Sequence, residues 1–232
     1  MLKRVYTYGG FWIGRYEAGI EGTITETTNV RKSSSSRITI GTSPKAISQK
    51  DAIPYNYVYC SEAQALAKEM ATDNTYTSNL MFGIQWDLVC KFLEIKGELA
   101  ITDINSDSEK WGNYEHSKIE NITSGKYAIY TNSTLGTWTK ISGTYTKQYT
   151  NPGYYTLLST GISDYTKKMN IYDFAGNEYE WTLEKTTVSN FPCANRGGYY
   201  YDSGYSCPAS SRLYGNTTRD SCYIGFRSAL YK

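Results

Sequence analysis

From residue 61 the chain reads SEAQALAKEM, and its apolar positions Ala63, Leu66, Ala67 and Met70 recur at i, i+3, i+4 and i+7. That spacing places them on one face of a helix over 61–70. Ser61 with Gln64 has the form of a capping box at its start. Trp86, Val89, Cys90 and Leu93 repeat the spacing and predict a second helix over 84–95, with Gly97 as its stop. Elsewhere the period is two or absent. Tyr6, Tyr8, Phe11, Ile13 and Tyr16 predict two short strands in 1–20, broken at Gly9-Gly10. Residues 21–52, rich in Thr, Ser and Lys, predict a loop or a weak strand pair. From about 99 to 168, polar residues punctuated by lone aromatics predict long loops with short strands. MNIYDFAGNEYEWT at 169–182 reads as a turn into a strand carrying Trp181. RGGYYY at 196–201 and IGFRSALY at 224–231 read as strands framing an insert of turn-forming residues. Few helices and many short strands make the expected class α+β, in one domain over 1–232 without internal repeats.

Composition adds one anomaly: 24 Tyr stand against 6 Phe and 5 Trp. Tyrosine buries its ring and keeps its hydroxyl wet, so it suits strands, half-exposed surfaces and interfaces. A net charge of +2 makes no electrostatic case for nucleic acid. No 18-residue apolar run predicts a membrane span, and the N-terminal stretch MLKRVYTYGGFWIGRYEAG lacks the apolar core of a secretory signal. The five cysteines form no CxxC pair, so no zinc or thioredoxin-like site is expected. Cys60 and Cys90 are expected as small buried hydrophobes. Cys207 and Cys222 could pair if the tail folds back on itself. A single histidine, His116, excludes mechanisms needing two or three imidazoles. The sequons at Asn121, Asn132 and Asn216 are what chance supplies in a Ser/Thr-rich chain.

Four segments carry a resemblance: GGFWIGRYEAG (9–19), GIQWDLVCKFL (83–93), YDFAGNEYEWT (172–182), and Arg196-Gly197-Gly198 with Gly225-Phe226-Arg227. In this order they resemble the formylglycine-generating-enzyme-like branch of the C-type lectin fold; residues 99–168 are left unmatched. The resemblance implies two helices on small twisted antiparallel sheets, with much loop. It implies a structural role for Trp181, Arg196, Gly197, Gly198, Gly225, Phe226 and Arg227. In the family's oxidases two copper-binding cysteines follow the Gly-Gly; the corresponding positions here hold Asp202 and Cys207. A carboxylate is a poor ligand for Cu(I), and a related iron branch needs three histidines. The expectation is therefore a protein without catalytic residues, cofactor or metal. Asp173 lies where some relatives bind calcium, and equally suits a turn cap.

The same fold serves the variable proteins of diversity-generating retroelements, whose segment between Arg-Gly-Gly and Gly-Phe-Arg is a hypervariable ligand-binding face. There adenine replacement scatters Asn codons (AAC) into other residues. The non-frame positions of this chain's tail are Tyr199, Tyr201, Asp202, Tyr205, Ser206, Cys207, Ser211, Leu213, Tyr214, Gly215, Asp220, Ser221, Cys222 and Tyr223. All are reachable from AAC by changing its first two bases, and none is Lys, Glu, Gln, Met or Trp. Tyr with Ser, Gly and Asp is also the chemistry of a paratope. The resemblance thus implies a retroelement-diversified variable protein, with 196–229 as its ligand-binding region. Its partner would be a protein or surface receptor, met from a phage virion or bacterial cell surface. Two other readings stand beside it: a fixed glycan- or protein-binding domain of the same fold, and a copper oxidase rearranged around Cys207 and Cys222.

Overall fold

The computed structural model describes residues 6–22, 44–71, 75–149 and 152–232. Besides a helical stretch at 6–8 and one 3-10 turn at Asp164–Thr166, the described residues form the helices α1 (Cys60–Glu69), α2 (Gly83–Lys96) and the short α3 (Ile101–Asn105). The inward faces of α1 and α2 are those the periodicity predicts: Ala63, Leu66 and Ala67 on one, Trp86, Val89, Cys90 and Leu93 on the other. Gly97 ends α2. The cap of α1 differs. The helix begins at Cys60, so Glu62 rather than Gln64 stands where its carboxylate can accept the Tyr59 N–H, at 2.9 Å. Cys90 is buried and Cys60 partly so.

Among the described residues the strands fall into small sheets. The first orders β1 (Trp12–Ile13), β17 (Ser228–Tyr231) and β4 (Thr77–Leu80), all antiparallel. The second orders β15 (Arg212–Gly215), β14 (Cys193–Arg196), β13 (Tyr179–Lys185) and β16 (Ile224–Phe226); only β13 and β16 run parallel. The third places β6 (Lys126–Thr131) between β10 (Tyr155–Leu158) and β7 (Thr134–Leu135), with β8 (Thr139–Lys140) also on β6. Three pairs complete the set: β2 (Gly19–Ile20) with β3 (Ala46–Ile47), β5 (Ile119–Ile122) with β9 (Tyr145–Lys147), and β11 (Lys167–Lys168) with β12 (Ile171–Tyr172). The architecture is mixed α+β with few helices and small, mainly antiparallel sheets.

A smaller apolar cluster of Ile119, Ile122, Ile141, Leu158 and Ile162, and two large ones, hold the described residues. One joins α1, β6, β10, β13 and β16 through Leu66, Ala128, Leu157, Trp181 and Phe226. The other surrounds α2, where Trp86 stacks on Phe174 with ring centroids 3.9 Å apart.

The motif residues tie distant segments together. Asn177 takes its left-handed φ of 61°. Its Oδ1 accepts from Asn113 Nδ2 at 2.9 Å and from the Leu158 N–H at 3.1 Å, and its Nδ2 donates to Glu17 at 2.6 Å. Glu180 receives the buried Arg227 guanidinium, with Nη2 at 2.7 Å and Nε at 3.1 Å. Arg227 also donates to the carbonyls of Gly14 and Tyr172, both at 2.9 Å. Trp181 Nε1 donates to the Val58 carbonyl. Asp173 accepts from Thr166 Oγ1 at 2.7 Å and from the Gly161 N–H at 2.6 Å, so both carboxylate oxygens cap the turn.

The structure corrects several expected strands. Residues 6–8 are helical, and strand begins at Trp12. Residues 1–5 and 23–43 of the expected N-terminal strands and loop lie outside the described residues. RGGYYY is not a strand beyond Arg196, because Gly197 and Gly198 take φ of 93° and 77° and turn the chain. IGFRSALY divides at Arg227 into β16 and β17, which join different sheets. The middle segment is richer than expected, holding α3 and β5 to β10.

Candidate binding face

The tail is a long loop on a rigid support. At Gly198 a Cβ would lie 2.4 Å from the Cys207 carbonyl and 2.6 Å from the Tyr114 ring, so only glycine fits this turn. Beyond it the backbone is held by the scaffold at several points. The Asp202 carbonyl accepts the Glu115 N–H at 2.9 Å, and the Gly204 carbonyl accepts that of Ser108 at 3.1 Å. The Ala209 N–H donates to Ser108 Oγ at 2.9 Å, and its carbonyl accepts from Trp86 Nε1 at 2.8 Å. The chain then runs back along β14 as β15 and returns as β16, with the Tyr57 N–H on the Ser221 carbonyl at 2.9 Å.

Tyr200 points inward and is fully buried, while its neighbours Tyr199 and Tyr201 join an aromatic cluster. Tyr199 packs on Tyr223 at 4.4 Å and on Tyr179 of β13 at 4.9 Å. Tyr201 packs on Tyr155 of β10 at 3.9 Å and on Tyr130 of β6 at 5.7 Å. Arg219 lies over the Tyr223 ring at 5.9 Å. Tyr130 and Tyr155 come from the segment that local patterning reads as long loops with short strands. Their only sequence signal is the short alternation of β6 and β10, which carries no information on what they face.

Polar groups beneath the cluster are linked. The Tyr179 hydroxyl donates to Asp202 and lies 3.1 Å from Cys207 Sγ. Burial raises the Asp202 carboxyl and pushes the Cys207 thiol up to about 12. Cys207 therefore holds its proton at neutral pH. Cys222 is buried, its Sγ 3.4 Å from the Tyr200 hydroxyl. Both are free thiols with separate partners, so the tail does not close through a Cys207–Cys222 disulfide.

The remaining tail positions divide by exposure. Tyr205 is 76% exposed, Tyr214 52% and Tyr201 37%. Ser206 is exposed, its Oγ 2.9 Å from that of Ser203 across a tight turn. Ser211, Leu213, Asp220 and Ser221 are half-buried. Tyr214 lies on the edge strand β15, against Phe191 at 5.5 Å, and is not among the ring partners of Tyr199 or Tyr201. Gly215 is buried, and a Cβ there would meet the Trp181 ring at 2.7 Å. Among the described residues no group of three or more His, Cys, Asp or Glu has the arrangement of metal ligands.

No family model and no curated protein matches the chain. Among solved structures it is similar to the crystal structure of CarF, with 13% identity and a TM-score of 0.49, over 76% of this chain and 67% of that one. It is also similar to Treponema denticola variable protein 1, with 13% identity and a TM-score of 0.42, over 84% of this chain and 74% of that one.

Proposed function

We propose that the chain is a non-enzymatic ligand-binding protein, a variable protein of a diversity-generating retroelement on a C-type lectin-like fold, with 196–229 as its binding region. One observation carries the reading: the tail separates into residues that hold the fold and residues that face outward. Arg196, Gly197, Gly198, Tyr200, Gly204, Ala209 and Arg227 are buried. Tyr201, Tyr205, Ser206 and Tyr214 present rings and hydroxyls to solvent. Rigid tyrosines give large contact area with few torsions to freeze, and serines give adaptable hydrogen bonds. The partner is a protein or surface receptor, reached from a virion or cell surface.

A second reading is favoured by Gly215 and Cys222. Both are AAC-compatible yet buried, which a fixed site for one partner accommodates and a freely diversified one does not. Sequencing the gene across many isolates separates the two. Substitutions concentrated at the outward positions of 199–223, sparing Gly215 and Cys222, support diversification. A constant tail in otherwise divergent chains leaves a dedicated binding domain.

A further inference from the structure

Helix α2 is apolar on both sides. Opposite its buried face, Ile84, Leu88, Phe92 and Ile95 are 54%, 50%, 42% and 61% exposed. Steps of four, four and three residues set them in one row along the helix. Trp12, half-exposed, extends the row on one side, sharing with Leu88 and Phe92 an apolar groove of about 520 Å³. Ile101, half-exposed, extends it across a cleft lined by Lys91 and Glu94. A surface helix needs one apolar stripe to face its core; a second, continuous one marks a surface that meets something.

The geometry points to a two-fold dimer in which this row is covered by the same row of a second copy. The row is its own complement. Antiparallel pairing about a point between Leu88 and Phe92 sets Ile84 against Ile95 and Leu88 against Phe92, as an isologous contact requires. The charges on one flank are already paired within each copy, Asp87 with Arg196 and Arg212 and Lys91 with Glu94 at 2.9 Å, so they do not oppose the contact. The area also fits. Six large side chains about half exposed offer roughly 100 Å² each, or about 600 Å² of apolar surface per copy. With a polar rim this approaches the ~800 Å² each partner contributes to a stable interface. A bilayer surface fits less well, because the polar flanks carry Asp87 and Glu94 alongside Lys91 and Lys96 instead of a basic face.

Sedimentation equilibrium of the full chain across micromolar concentrations tests this. The expected result is a species of twice 26.2 kDa. Leu88→Lys, and separately Phe92→Lys, should raise its dissociation constant by about 100-fold or more, with an unchanged far-UV spectrum. Val188→Lys, outside both the row and the candidate face, should leave the mass unchanged. A monomer at every concentration, a trimer, or a dimer indifferent to both row substitutions overturns the proposal. So does a monomer that floats with phosphatidylcholine–phosphatidylglycerol vesicles and loses that ability on Leu88→Lys, which would give the row to lipid.

Discussion

Tyr155 and Tyr201 pack with ring centroids 3.9 Å apart and planes inclined by 31°. The pair joins the tail to a strand of the middle segment, so the candidate face has a wall outside the tail as well as one within it. A double-mutant cycle with Tyr155→Ala and Tyr201→Ala, read by urea unfolding, should give a coupling of about 1 kcal/mol. Strict additivity would mean the rings share no energy.

The exposed tyrosines should matter for binding and little for folding. Tyr205→Ala and Tyr214→Ala should each change stability by less than about 1 kcal/mol, and Tyr201→Ala, which loses its ring contacts with Tyr155 and Tyr130, by about 1–2 kcal/mol. At least one should weaken binding, once a ligand is in hand, by ~2 kcal/mol as a hot spot does. Calorimetric titration alongside thermal melts reads both; unfolding of all three would place these rings in the core.

Arg227 and Glu180 behave oppositely. Both are fully buried and joined through Nε and Nη2, so removing one strands the other's charge. Arg227→Met should cost about 3–5 kcal/mol. Arg227→Lys should recover only part, since an ammonium cannot reproduce the guanidinium's contacts with Glu180, Gly14 and Tyr172. Chemical denaturation of both variants checks the order.

Acidity should stabilise the protein over part of its range. Burial, reinforced by neighbouring carboxylates, raises the carboxyls of Glu17 and Glu178 well above their ordinary values. Folded chains then hold protons that unfolded chains, with carboxyls near about 4.3, have released. Stability from these groups is fully present below that unfolded value and is lost as pH rises through the folded ones. The urea midpoint should be higher at pH 5 than at pH 7. Glu178→Gln, which keeps an acceptor for Asn56 Nδ2, should shrink the difference.

Lys147 works in the opposite sense. It is buried, its Nζ donating to the carbonyls of Tyr114 and Glu115, and burial lowers its ammonium to about 7. Unfolded lysine keeps its proton to about 10.4, so this contribution is lost as pH falls through 7 and grows as pH rises above it. The stability of the parent protein relative to Lys147→Met should therefore increase between pH 7 and 8.5. A constant difference would mean that Lys147 stays charged in the fold.

What was legible in the sequence follows the range of the interactions. The inward faces of α1 and α2 rest on neighbours three and four residues apart, so periodicity found them. Trp181, Arg196 and Arg227 stood out through motif spacing, though their partners Val58, Asp87 and Glu180 lie as many as 123 residues away. The strands β6 and β10 were not legible, because each is short, half polar and paired across an intervening polar stretch. Tyr130 and Tyr155 were lost with them. The outer row of α2 was present as an i, i+4 pattern, but a helix apolar on both sides has no single face for periodicity to select.

The parallel pairing of β13 with β16 fixes where the tail leaves and rejoins the sheet. Strands running the same way cannot be joined by a tight turn; β14 brings the chain back to the end of the sheet where β16 starts, with Arg196 and Ile224 paired to the adjacent Glu180 and Tyr179 of β13. Since β14 and β16 flank the same strand, the ends of the 197–223 excursion are fixed about 10 Å apart whatever lies between. Closing a longer loop between fixed ends costs only about 0.6 kcal/mol per doubling. The exposed residues 216–218, between β15 and β16, are therefore a place where residues can be inserted, and the outward surface enlarged, with little loss of stability.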